Sequence, residues 1–185
     1  EEGKAKNKAA LQRELGLTED TGTILIGMVT RITDQKGFDL IACALDELLG
    51  HARVQLVVLG TGEERYVSML RGFADKYPDK LSANIYYSEQ MAHRIYASAD
   101  AFLMPSLFEP CGLSQLMSFC YGTLPIVRET GGLKDTVLPY NEYDHTGTGF
   151  SFANFNAREM LHTIYYAMHI YYDDRKSWNE MAKRD

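Results

Sequence analysis

Cysteine and proline are scarce in this sequence of 185 residues, which contains three of the first and five of the second. The cysteines Cys43, Cys111 and Cys120 form an odd set without the close pairing of a metal site. The N-terminus also lacks the pattern of a signal peptide. These absences argue against a disulfide-stabilised secreted domain and favour a reducing, cytoplasmic setting.

The sequence also lacks a long apolar run and an excess of positive charge. No apolar stretch approaches the roughly 18 residues that indicate a membrane span. The 19 basic and 25 acidic residues give a net charge of −6. We therefore expect no membrane and no nucleic acid as partner, although a local basic pocket for one anionic ligand remains possible. The length suits a single domain over residues 1–185.

Short β-branched runs alternate along the chain with segments of helical period, which predicts an α/β fold. The predicted strands are Ile24–Val29, Val54–Leu59, Ala83–Tyr87, Ala101–Met104, Leu124–Val127 and, near the end, Gly149–Phe152. The predicted helices are Phe38–Leu49, Glu63–Tyr77, Met91–Ser98, Leu113–Tyr121, a charged segment over 1–16 and an amphipathic helix capped by Asn156. Such alternation favours a Rossmann-like parallel sheet with helices on both faces and ligands beyond the carboxyl ends of its strands.

Two cations, Arg31 and Lys36, lie in the loop that follows the first predicted strand. A diphosphate leaving group needs fixed positive charge, which a forked guanidinium and a compact ammonium supply together. The alternative for both residues is an ordinary solvated loop. A dinucleotide site would require G-x-G-x-x-G here, where the sequence has Val29-Thr30-Arg31. The lone Gly60-Thr61-Gly62 after the second strand indicates a tight strand-to-helix turn, with a functional role as the alternative.

An acid, a thiol and a glycine precede a helix start after the fourth predicted strand. The backbone N–H groups of Gly112, Leu113 and Ser114 would face outward from that helix start and bind phosphate or sugar oxygens. Glu109 could bond sugar hydroxyls or balance charge at an anomeric carbon. The alternatives are a first-turn acid favoured by the helix dipole for Glu109, and a small buried hydrophobe for Cys111.

The same segment opens a longer pattern that resembles glycogen and starch synthases. The words are Phe-Glu-Pro-Cys-Gly-Leu-x-Gln at 108–115 and Tyr-Gly-Thr-Leu-Pro-Ile-Val-Arg-x-Thr-Gly-Gly-Leu-x-Asp-Thr-Val at 121–137. Matches at 29–40 and at 93–97 extend the resemblance over nearly the whole chain.

The resemblance implies a transferase of two Rossmann-like domains, known as the GT-B fold. This chain would be its C-terminal, donor-binding domain, and the N-terminal acceptor-side domain would be absent from it. The implied activity is transfer of glucose from ADP-glucose to the nonreducing end of an α-1,4-glucan, with retention. The implied partners are ADP-glucose, ADP and the glucan, with no cofactor and no metal. The compartment would be the cytoplasm in a bacterium or the plastid in a plant.

Carried over by position, the resemblance gives roles to named residues. Arg31, Lys36 and Glu109 would serve catalysis, the two cations by binding the donor diphosphate. The residues that would line the glucose and phosphate site are Cys111, Gly112, Leu113 and Ser114. Thr130, Gly131 and Gly132 would form a second tight turn near the phosphates.

Three further residues have roles that the sequence leaves open. Tyr87 would stack on the nucleotide base, or else be a core tyrosine at a strand end. His93 would lie close to the nucleotide edge, or else be a polar residue at a helix start. The wider superfamily often has a second catalytic-region Glu eight positions after the first, where this sequence has Met117. The two-glutamate arrangement therefore cannot be carried over, and a role for Gln115 in the site is a conjecture.

Two other functions compete with the leading one. The chain could bind nucleotide without catalysing transfer, since one domain gives only one wall of a cleft. It could also belong to a related glucosyltransferase that uses UDP-glucose, because the scaffold alone does not fix the chemistry.

Overall fold

The computed structural model describes residues 2–109 and 113–184, and within them one six-stranded sheet forms the centre of the fold. All of its strand pairs are parallel, and their order is β3-β2-β1-β4-β5-β6. The strands are β1 Ile24–Val29, β2 Val54–Leu59, β3 Leu81–Asn84, β4 Ala101–Met104, β5 Leu124–Arg128 and β6 Phe150–Phe152. The predicted Rossmann-like α/β fold is confirmed.

Helices cover both faces of this sheet. The helices among the described residues are α1 Glu2–Leu15, α2 Phe38–His51, α3 Glu64–Lys76, α4 Glu89–Ser98, α5 Leu113–Cys120, α6 Gly131–Thr136, α7 Ala157–Asp173 and α8 Arg175–Arg184. Ile24, Ile26 and Met28 of β1 pack in one apolar cluster with α2 and α7, whereas Leu25 packs in another with α1 and α4. This alternation follows from the two-residue period of a strand. None of the helices in the described part of the chain is long and apolar enough to cross a membrane.

The third strand and two helices differ from the sequence prediction. β3 ends at Asn84 rather than at Tyr87, because Asn84 pairs with Leu59, the last residue of β2, and no strand continues beyond it. The predictions did not include α6 and α8 as helices. α6 begins with two glycines, which have low helix propensity, and is held instead by the buried side chain of Leu133.

The strand order places a topological switch point between β1 and β4. From β1 the chain goes next to β2 on one side, and from β4 it goes next to β5 on the other. The loops that leave β1 and β4 at their carboxyl ends therefore diverge in direction and leave a crevice between them. These loops contain Arg31, Lys36 and Glu109, the residues that the sequence nominated for catalysis.

A buried ion pair fastens α1 to the opposite, amino edge of the sheet. The Lys8 Nζ lies 2.6 Å from a carboxylate oxygen of Asp100 and donates to the Thr21 carbonyl and the Tyr171 hydroxyl. The same Asp100 oxygen accepts from the backbone N–H of Leu25, the second residue of β1. Burial lowers the pKa of Lys8, and the adjacent Asp100 carboxylate opposes that shift.

Candidate functional site

The two loops of the switch point are joined by backbone contacts. The Leu107 N–H donates to the Gln35 carbonyl at 2.9 Å. At Gly37 the backbone has a φ of +89°, and a Cβ there would lie only 2.1 Å from the Pro105 carbonyl oxygen. Glycine is required at this position by both the left-handed backbone and the close approach. The loops after β1 and β4 therefore form a single wall of the crevice.

Within this wall Lys36 and Glu109 form an ion pair. The Lys36 Nζ lies 2.7 Å from the Glu109 Oε2, and the side chains are only 16% and 12% exposed. The Ser106 hydroxyl donates to the same carboxylate oxygen at 3.2 Å. Charge-assisted contacts of this length in a water-poor crevice hold both groups in one orientation. The sequence nominated both charged residues but did not predict that they touch.

Two neighbouring cavities open along this edge of the sheet. A narrow one of about 40 Å³ is lined by Lys36, Ser106, Glu109 and Ser114. A wider one of about 350 Å³ lies beside the carboxyl end of β2 and includes Arg31. The walls of both contain Val29 and Thr30, so the cavities adjoin at the end of β1. One elongated ligand could therefore place a charged group near Lys36 and an apolar group in the wider cavity.

The wider cavity is made of apolar walls and two tyrosines at its rim. Its walls include Val29, Leu59 and Ala92. Tyr86 and Tyr87 follow β3 and also line it, and Tyr87 is 87% exposed. The alternative that Tyr87 is a core tyrosine at a strand end is therefore wrong. β3 ends three residues before Tyr87, and the tyrosine side chain does not pack on the sheet.

Arg31 lines the same cavity as Tyr87 and is exposed. Among the residues that the structure describes, no carboxylate pairs with its guanidinium. The loop around it is packed tightly: a Cβ on Gly60 would lie 1.8 Å from the Thr30 carbonyl oxygen, and one on Gly62 would lie 2.1 Å from that of Ile32. These contacts explain the Gly60-Thr61-Gly62 turn and fix the backbone that carries Arg31.

A third and larger cavity, of about 540 Å³, lies at the amino edge of the sheet between α1 and α8. Lys4 borders it, but its ammonium already donates to the carbonyls of Tyr96 and Ala99 and to the Thr123 hydroxyl. Size alone therefore does not mark the site. The crevice at the carboxyl edge is the stronger candidate, because ligands of open parallel sheets bind there.

The first turn of α5 borders the narrow cavity. Leu113 is exposed, and Ser114 lies in the cavity wall with its hydroxyl bonded to Tyr96. Gln115 is fully buried, and its amide donates to the Thr136 hydroxyl at 3.1 Å, which fastens α5 to α6. The predicted site residues Cys111 and Gly112 lie outside the described residues.

Thr130, Gly131 and Gly132 begin a helix rather than a tight turn. Thr130 is the residue before α6, and Gly131 has a φ of +49°. The Gly132 N–H donates to the Glu109 backbone carbonyl at 3.2 Å. That N–H group is therefore engaged in holding Glu109, rather than left open for a phosphate.

Most of the chain matches one family of known proteins. The family model of glycosyl transferases group 1 matches residues 13–185 of the chain. The chain belongs to this family.

The group 1 transferases most similar to it include glycogen synthases and a starch synthase. The glycogen synthase of Lachnospira eligens is 66% identical over 181 residues, which is 98% of this chain and 38% of that protein. The glycogen synthase of Lachnoclostridium phytofermentans is 57% identical over the same shares. The catalytic domain of starch synthase IV from Arabidopsis thaliana, solved with ADP and acarbose, is 32% identical, with a TM-score of 0.88, over 97% of this chain and 38% of that one.

These findings confirm the resemblance that the sequence motifs predicted. They also agree with the C-terminal half of a GT-B transferase as the fold class. The chain spans less than two fifths of the length of the curated relatives that it matches.

The group 1 transferase fold does not bring His93 into the crevice. His93 lies in the second turn of α4, not at the helix start, and its Nδ1 is 2.9 Å from the Tyr121 hydroxyl. It borders a separate cavity, lined also by Asn7 and Arg94. The neighbouring Ala92 faces the wider cavity instead, because consecutive helix residues are about 100° apart around the axis.

Two further residues that contact the loop after β4 were absent from the sequence prediction. Ser106 is buried and bonds Glu109 directly. Arg128 ends β5 and donates to backbone carbonyls of the loop after β4. A signal for Arg128 was present, since a charged residue directly after a buried apolar run at a strand's carboxyl end falls on the ligand edge. No cluster of three or more His, Cys, Asp or Glu that could hold a metal is found in the described part of the chain.

Proposed function

We propose that this chain is the donor-binding domain of a glycogen synthase. The reaction is transfer of glucose from ADP-glucose to the nonreducing end of an α-1,4-glucan, with retention at the anomeric carbon. The observation that carries the proposal is the Lys36–Glu109 pair, held at 2.7 Å at the switch point and beside an apolar cavity of about 350 Å³. The glycogen synthase relatives and the ADP-bound starch synthase support the nucleotide and the reaction class.

The charged end of the crevice would receive the diphosphate and the glucose. Lys36 supplies a fixed ammonium, and Arg31, from the same loop, supplies a guanidinium that can hold two oxygens. Both charges stand ready before the sugar–phosphate bond breaks, which is how preorganised electrostatics lower a barrier. Glu109, next to Lys36, would face the sugar, where a carboxylate can bond hydroxyls or balance positive charge at the anomeric carbon.

The apolar end of the crevice would receive the adenine. Val29, Leu59 and Ala92 form an apolar wall of the cavity, and Tyr87 is exposed at the cavity rim. A flat ring can cover one face of a purine while its hydroxyl stays in water. The cavity volume of about 350 Å³ falls within the range of about 300–1,000 Å³ for small-molecule sites.

The acceptor glucan would be held by a second, N-terminal domain that faces this crevice. Transfer needs the acceptor positioned and water excluded, and one wall of a cleft does neither. We propose that the full-length protein contains this chain after such a domain, works in the cytoplasm, and needs no metal or cofactor.

A glucose-transfer assay tests the proposal. The full-length protein should incorporate glucose from ADP-glucose into glycogen, with net retention at the anomeric carbon. The 185-residue chain alone should bind ADP and transfer no glucose. Robust transfer by the chain alone would contradict the need for a second domain. Transfer from UDP-glucose in preference to ADP-glucose would contradict the donor assignment.

Replacing Tyr87 with alanine should weaken ADP binding by about five- to tenfold, the loss expected from removing one base-stacking ring. Titration calorimetry of ADP into the chain measures this change. Tyr143→Ala is a matched control, because Tyr143 is 89% exposed against 87% for Tyr87 but lies in the segment that leads into the amino end of β6. Equal affinity of the Tyr87 variant and the wild type would remove Tyr87 from the base site.

A further inference from the structure

Arg128 reaches from the end of β5 to the backbone of the loop after β4. Its Nη1 donates to the Leu107 carbonyl at 2.8 Å and to the Ser106 carbonyl at 3.4 Å. The guanidinium carbon also lies 5.7 Å from the centre of the Phe155 ring, which follows β6. A single side chain therefore fastens the Glu109 loop to the half of the sheet formed by β5 and β6.

The charge of Arg128 is not matched by a carboxylate among the described residues. The adjacent Glu129 accepts instead from the Ser151 hydroxyl, at 2.9 Å. The Arg128 Nε is buried, and it has no hydrogen-bond partner within residues 2–109 and 113–184. A part-buried cation without a carboxylate partner is costly for stability alone, which points to a role in the adjacent site.

The position of Leu107 shows what this arginine does. Its N–H donates to the Gln35 carbonyl on one side, and its carbonyl accepts from Arg128 on the other. Both backbone groups of the residue two places before Glu109 are thus fixed. With the Glu109 carbonyl bound by the Gly132 N–H and its carboxylate by Lys36, four contacts hold the described part of the loop around the acid.

We propose that Arg128 is a positioning residue for glucosyl transfer, one that holds the loop after β4 so that the Glu109 carboxylate stands beside Lys36 and the sugar. The proposal rests on the function proposed above. Arg128 acts on the reaction through the backbone of Ser106 and Leu107, whose carbonyls both accept from its Nη1 group.

The test compares Arg128→Met and Arg128→Lys in the full-length protein, with kcat and the donor KM measured separately. Arg128→Met should lower kcat about tenfold and leave the donor KM within twofold. A displaced Glu109 stabilises the transition state less well, whereas binding of the donor changes little. Arg128→Lys keeps one donor for the nearer carbonyl and should recover part of that loss. Arg175→Met is the matched control, since Arg175 also donates to a backbone carbonyl and lies over an aromatic ring, but at the amino edge.

A double-mutant cycle with Glu109→Gln gives the readout that a merely structural role would not move. Adding Arg128→Met to Glu109→Gln should lower kcat by less than a further twofold, since both changes remove the same contribution, that of the positioned Glu109 carboxylate. Independent, multiplying losses would overturn the positioning role. A loss of affinity confined to the donor KM would also overturn it, because Arg128 would then be a direct phosphate ligand. So would a wild-type kcat in both the Arg128→Met and the Arg128→Lys variants. A wild-type protein that transfers no glucose from ADP-glucose would instead overturn the proposed function.

Discussion

Replacing Lys36 with alanine is expected to lower the turnover of the full-length protein at least tenfold. Lys36 is the cation that touches Glu109, at 2.7 Å, and we propose that it also meets the departing diphosphate. Removal of one preorganised donor from an active site costs on the order of 10²-fold in rate. The loss also leaves the Glu109 carboxylate with the Ser106 hydroxyl as its side-chain partner in the described structure. Steady-state rates with ADP-glucose and glycogen measure the effect.

Lys76→Ala is a suitable control for this prediction. Lys76 is also 2.7 Å from a carboxylate, that of Asp46, but the pair is exposed and joins α3 to α2 away from the crevice. An exposed ion pair contributes about 0–1 kcal/mol to stability, so this variant should keep its turnover. A Lys36→Ala variant with turnover close to that of wild type would remove Lys36 from the mechanism.

Replacing Lys8 with methionine is expected to lower the free energy of unfolding by about 3 kcal/mol. Methionine keeps the apolar stem, but the nearly buried Asp100 carboxylate would lose its paired ammonium and keep hydrogen bonds from neutral groups, the Leu25 N–H and the Tyr171 hydroxyl. Removing one partner of a buried ion pair costs about 3–5 kcal/mol. For a chain of this size the midpoint of thermal unfolding should fall by about 6–12 °C, as followed by circular dichroism.

The neighbouring Lys6 offers a matched control on the same helix. Lys6 is exposed on α1, so Lys6→Met should shift the midpoint by less than about 2 °C. The double variant Lys8→Met with Asp100→Asn should recover part of the loss, because the remaining amide carries no charge. A Lys8→Met midpoint equal to that of Lys6→Met would show that the pair does not anchor α1.

Much of the fold could be predicted from local patterns. β1, β2 and β4 were predicted with their observed bounds, because each is a short, mostly apolar run that ends at a polar, glycine or proline residue. Asn156 was predicted as a cap, and its side chain accepts from the backbone N–H groups of Arg158 and Glu159. These features depend on neighbours a few residues away, which is the range that periodicity and capping report.

The unpredicted features depend on contacts between distant segments. Lys36 and Glu109 are 73 positions apart, and only the adjacency of β1 and β4 brings them together. α6 forms despite the low helix propensity of its two glycines, because Leu133 is buried in an apolar cluster with Phe102 of β4 and Val127 of β5. The tie from Arg128 to Leu107 needs β4 and β5 side by side, which no local pattern shows. Propensity does not report such tertiary effects.

The most direct test of the central claim is calorimetric titration of ADP and, separately, UDP into the 185-residue chain. A donor domain for ADP-glucose should bind one ADP per chain, bind UDP more weakly, and lose affinity for ADP when Lys36 is replaced by alanine. Absence of ADP binding, a clear preference for UDP, or an ADP affinity unchanged by Lys36→Ala would contradict the account of this crevice as an ADP-glucose site.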